Sequence, residues 1–159
     1  MTAPQQQTEP SQSCSAPEII ILPSEGVGAL ADLVRPFVDT FAATTKGKIA
    51  GEDIFESAAK GLYQIWVIYE PDSDNVTGMI LTELRRFPRQ LSCAIIGSAG
   101  AGIFQMDSKR VIGQISDWAR FQGCTTILCE GRLDCMFYDW ARHLGDGFEE
   151  ISRLWEKEL

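Results

Sequence analysis

Three apolar, β-rich segments follow one another with only short polar links, and this run constrains the fold more than any other feature of the chain. Tyr63 to Tyr69 is aromatic and β-branched, Glu70 to Asn75 (EPDSDN) is turn chemistry, and Val76 to Glu83 returns. A second connection, Arg85 to Gln90 around Pro88, leads into Leu91 to Ser98. Links this short reach only an adjacent antiparallel strand, so the three segments predict a meander. The next segments change the pairing. Ser108 to Gln122 carries Val111, Ile112, Ile115, Trp118 and Ala119 at helical spacing, with Asp107 as a cap and Gly123 as a stop. Thr125 to Glu130 is again a strand. A strand–helix–strand crossover favours parallel pairing, here of Leu91–Ser98 with Thr125–Glu130.

The flanks complete the order. Glu18 to Leu22 reads as a first strand ended by Pro23. Val27, Leu30, Val34, Phe37, Val38 and Phe41 recur at helical spacing up to Ala43, with Pro36 predicting a kink or break. Glu52 to Lys60 is a second short helix stopped by Gly61. Beyond the crossover, Leu133 to Leu144 reads as a helix and Phe148 to Trp155 as a closing strand. Residues 1–17 hold Gln, Ser, Thr and Pro with few large apolar side chains, which predicts a disordered tail before one domain over residues 18–159.

Composition narrows the function classes. The net charge of -8, from 14 basic and 22 acidic residues, argues against a nucleic-acid binder. No apolar run approaches the ~20 residues that a membrane span needs. No positive region followed by an apolar stretch opens the chain, so a soluble, cytoplasmic protein is expected. Of the five cysteines, Cys124, Cys129 and Cys135 precede His143 at spacings that match no common zinc pattern, so no metal is expected. The odd cysteine count also argues against a disulfide framework.

The order β α α β β β α β α β resembles that of the GNAT superfamily of N-acyltransferases, in particular the divergent GNAT-like proteins encoded by tailed phages. The resemblance rests on the meander YQIWVIYEPDSDNVTGMILTEL, the helix end ISDWARFQGC, the strand CTTILCEGR and the helix end WARHLGDGF. It implies an α/β (α+β) mixed sheet with helices on both faces. It also implies acetyl-CoA or another acyl-CoA bound where the two parallel strands splay apart. Splaying leaves backbone groups without sheet partners, and a pantetheine arm pairs with them like an added strand. The donor site then falls on Ile96, Gly97 and Ser98. Its diphosphate would lie against the start of the helix near Ser108, beside Lys109 and Arg110.

The family's Q/R-x-x-G-x-G/A loop corresponds here to GSAGAG. Gly100 and Gly102 occupy the two glycine positions, and Gly97 replaces the expected Gln or Arg. Such a loop admits a phosphate close to the backbone, and it serves equally as a tight strand exit. Arg85, Arg86 and Arg89 either hold a 3′-phosphate, meet an acidic partner, or form a solvated turn. Acylation of an amine calls for a base, and Glu83 and Glu130 stand at strand ends, each also readable as an ordinary strand-end carboxylate. The family's acid, a Tyr before G-F, falls on Ala141, which leaves Tyr138 as a substitute or a packing aromatic. His143 reads as a helix C-terminal cation, and Trp118 and Trp140 as core anchors. Two functions follow. One is an acyltransferase acting on a small-molecule amine or a protein acceptor. The other is a non-catalytic module that binds phage virion proteins or a host target.

Overall fold

The computed structural model describes residues 15–130 and Phe148. Among the described residues, five strands form one mixed sheet in sequence order: β1 (Glu18–Ile21), β2 (Tyr63–Glu70), β3 (Asn75–Phe87), β4 (Gln90–Ala99) and β5 (Thr126–Cys129). The first four pair antiparallel, and β5 pairs with β4 in parallel, as the crossover predicts. Ser92 faces Thr126 and Ile95 faces Cys129 at the two ends of the parallel ladder.

Three α-helices among the described residues cover the two faces: α1 (Ala31–Thr44), α2 (Gly51–Ala59) and α3 (Ser108–Phe121). Alternation along the strands decides which residues meet which helix. Ile65, Val67, Met79 and Leu81 pack with Val34, Val38 and Phe41 of α1 and with Ile54 and Ala58 of α2. Trp66, Ile68, Ile80, Cys93 and Ile95 point the other way, onto Val111, Ile115 and Ala119 of α3. Trp118 of α3 meets Trp66 edge to face, with ring centroids 5.5 Å apart and planes at 88°. This geometry suits the ring quadrupoles. Among the described residues no helix is long and apolar enough to cross a membrane.

Several expectations need correcting. β3 does not end at Glu83. It runs on to Phe87, which pairs with Gln90, so Arg85 and Arg86 are strand residues and the turn is Pro88–Arg89 alone. The helix expected from Val27 starts at Ala31, after a short 3-10 turn over Ser24–Gly26. Pro36 neither breaks nor ends α1. It sits in the second turn on the solvent side, where its ring costs one backbone hydrogen bond without displacing the buried face. The stretch expected as loop before α3 contains a 3-10 turn, Ala101–Gln105. The helix expected over Leu133–Leu144, with Tyr138, Trp140 and His143, lies outside the described residues. So does the strand from Phe148 to Trp155, Phe148 itself excepted.

Candidate functional site

The parallel ladder is short, and this decides where a ligand can enter. Its last bond is donated by the Glu130 N–H to the Ile95 carbonyl, at 2.9 Å. β4 continues for four more residues, Ile96 to Ala99, with no parallel partner among the described residues. At the same point β4 is irregular against β3: Leu81 faces Gly97 and Thr82 faces Ile95, which leaves Ile96 as the bulged residue. Burial changes there too. Ser92 to Ile95 are buried, whereas Ile96, Gly97 and Ser98 are partly exposed. A bulge that bends one strand away from its neighbour, with reachable backbone beyond it, makes an opening in the sheet.

Polar side chains gather at this opening on the face shared with α1 and α2. Glu83 and Arg85 lie two residues apart on β3, so both point to that face. The Arg85 Nε donates to Glu83 Oε1. The Arg85 fork reaches across β4 to Glu130, Nη1 to Oε1 and Nη2 to Oε2, the latter at 2.8 Å. One guanidinium therefore ties both candidate bases together. The side chains of Glu83, Arg85 and Glu130 are 20%, 29% and 52% exposed. The Glu130 hydrogen bond pushes the Arg85 pKa above its already high value. Partial burial opposes this, and Glu83 adds to the rise. Tyr63 faces Glu83 across β2 and β3. Burial, then the Glu83 charge, pushes its phenol up, with Arg85 opposing and Asp53 adding.

The glycines serve the packing. A Cβ on Gly97 would lie 2.0 Å from Phe41 Cε2, so the α1 ring rests directly on this backbone. Gly100 has φ +99°, and a Cβ there would meet the Thr77 carbonyl oxygen at 2.4 Å. A Cβ on Gly102 would fall 2.1 Å from Thr77 Oγ1. At the start of α3, Asp107 caps the helix by accepting the Lys109 N–H at 3.0 Å. Arg110 Nη1 turns back to the Pro17 carbonyl at 3.3 Å. The two halves of an acyl-CoA therefore meet different surroundings. The β4 edge that lacks a parallel partner among the described residues fits an extended amide-bearing arm. The helix start fits a diphosphate less well, because a carboxylate already occupies it.

No family model and no curated protein matches this sequence. Solved structures do match. An aminoglycoside acetyltransferase from an uncultured soil metagenomic sample, in complex with sisomicin, aligns with a TM-score of 0.63 at 14% identity, covering 90% of this chain and 96% of that one. This is the GNAT fold. An aminoglycoside N-acetyltransferase in complex with CoA aligns at 0.56 and 13%, covering 89% and 98%. A GNAT family acetyltransferase from Staphylococcus aureus aligns at 0.56 and 10%, covering 91% and 100%. On this GNAT fold, the structure brings Glu83 and Glu130 together and sets Ile96, Gly97 and Ser98 at the opening. Lys109 and Arg110 lie at the helix start. Tyr138 lies outside the described residues. Arg85 and Tyr63 were not read as parts of this group from sequence. The Glu-x-Arg spacing was the available signal, once β3 is taken to continue.

Proposed function

We propose that the chain transfers an acyl group from acetyl-CoA or another acyl-CoA to an amine. The observation that carries this reading is the β4 edge over Ile96–Ala99, which has no parallel strand partner on the β5 side among the described residues and stands beside two carboxylates. Backbone groups left without a ladder need hydrogen-bond partners, and an amide-bearing ligand supplies them. When bound, the donor supplies an activated thioester. Glu83 is bonded to Arg85 through one oxygen, so its other oxygen can take the proton of an acceptor amine, directly or through a water. Glu130 uses both oxygens on Arg85 and serves better to shape the site. The Tyr63 phenol, held protonated by burial and by the Glu83 charge, is a proton donor on the same face. Tyr138, readable from the sequence as a substitute acid or as a packing aromatic, lies outside the described residues. Lys109 and Arg110 supply positive charge for the phosphates.

Calorimetric titration with acetyl-CoA tests this reading, followed by thiol release in the presence of sisomicin, spermidine or a lysine peptide. Saturable binding and amine-dependent release are expected. Replacing Lys109 and Arg110 together with Ala should weaken binding about tenfold. No heat at millimolar acetyl-CoA would sink the reading.

A second reading has its own support. Asp107 at the start of α3, and glycines filled by Phe41 and Thr77, favour a fold kept without donor binding. Such a module would bind a protein partner, a phage virion protein or a host target. Co-purification with virions would support it, and saturable acetyl-CoA binding would count against it.

A further inference from the structure

Arg85 joins the candidate base to the end of the parallel ladder. Its partner Glu83 lies on its own strand, and its other partner Glu130 is the first residue past β5. Among the described residues, the Glu130 N–H makes the last bond between this segment and β4, and β4 has no parallel partner beyond it. We propose that Arg85 is a positioning residue: it fixes where β5 parts from β4, and which way Glu83 and Glu130 face at the opening.

Three features separate this arrangement from an ordinary surface ion pair. All three guanidinium nitrogens donate to carboxylates, so the planar fork is held in one orientation. The Arg85 and Glu83 side chains are mostly covered, which reduces screening by solvent. The two bonds to Glu130 also cross β4, while the bond to Glu83 stays on β3. Beneath them Ser92 Oγ and Thr126 Oγ1 lie 2.7 Å apart, a second side-chain tie between β4 and β5. The hydroxyl pair sits at the start of β5, so it does not replace Arg85 at the other end, where the backbone bonds remain. Lys in its place offers one charged point and can satisfy one carboxylate at a time. The functional half of the inference rests on the acyl-transfer reading above. The structural half does not.

The test is amide hydrogen exchange, followed by NMR on the full chain for the wild type, R85K and R85M, with acetyl-CoA titrated into each. In R85M the Glu130 N–H should exchange about tenfold faster or more, while β2–β3 amides keep their wild-type rates. R85K should lie between. A wild-type rate at Glu130 in R85M overturns the proposal. If R85M loses protection everywhere, E130Q carries the same test from the other partner, and a wild-type Glu130 position there is equally fatal. Where the wild type binds acetyl-CoA, R85M should weaken the affinity about tenfold and R85K less. Equal affinities in all three would remove Arg85 from the donor site and leave acyl transfer standing. A wild type that binds no acetyl-CoA removes the acyl-transfer reading, and the exchange result still decides what Arg85 does.

Discussion

At the scale of single residues, tight contacts explain Gly97 and Gly102, while Gly100 combines a tight contact with a positive φ. Gly97 has no room for a methyl group under Phe41, so Gly97→Ala must displace an aromatic ring from the α1–β4 contact. Overpacking of this kind costs about 1–3 kcal/mol. A lower urea midpoint with unchanged slope is the expected result, and wild-type stability would mean the ring moves freely. Cys93 carries a second consequence. It is fully buried, and desolvation above all, with a contribution from Cys124, pushes its thiol from 9.0 up to about 12, against a Thr82 hydrogen bond. In the unfolded chain the thiol ionises first as pH rises, whereas the folded protein keeps it neutral. Stability should therefore be intact below about pH 9 and fall between about pH 9 and 12. Cys93→Ala should flatten that part of a pH–stability curve.

At the scale of elements, the start of α3 and the middle of α1 make opposite predictions. Asp107 satisfies one of the free N–H groups of α3, so Asp107→Ala should cost about 1 kcal/mol by thermal or urea unfolding. The same change removes a negative charge from the place where a diphosphate would approach, so acetyl-CoA affinity should rise as stability falls. A parallel loss of both would show that Asp107 does not oppose the phosphates. Pro36 lies inside a continuous α1 with its side chain exposed, and it breaks one helical bond without serving the core. Pro36→Ala should stabilise the protein by about 1–2 kcal/mol, the restored bond being partly offset by a freer unfolded chain. The meander, the crossover and the α3 cap were legible in the sequence because each is local: turn residues, period and capping chemistry lie within a few positions. The end of β3 was not. Arg85 and Arg86 lower the apolar signal just where the strand continues, and pairing with Ser92 and Leu91 is what keeps them extended.

At the scale of the whole molecule, two apolar layers share one sheet, and β3 is its centre. Ile80 faces α3 while Met79 and Leu81 face α1 and α2, all fully buried. Truncating Ile80 to Ala should cost about 2–5 kcal/mol. Because both layers rest on the same strands, near-UV and far-UV signals should lose stability together in one transition. Separate transitions would show that the α3 layer unfolds by itself.

Periodicity and turn chemistry were enough to specify the order of elements from β1 to β5 and the parallel crossover, because those depend on residues near one another in sequence. Glu130 could also be found as a strand-end carboxylate, whereas Glu83 lies inside β3. Their union through Arg85 could not, since 45 residues separate Arg85 from Glu130 and no local pattern joins them. The packing that fills Gly97, Gly100 and Gly102 was equally out of reach, because a glycine motif reads the same whether its space holds a phosphate or a phenyl ring. Folding brings distant strands into register, and only that register decides which charges meet at the opening of the sheet.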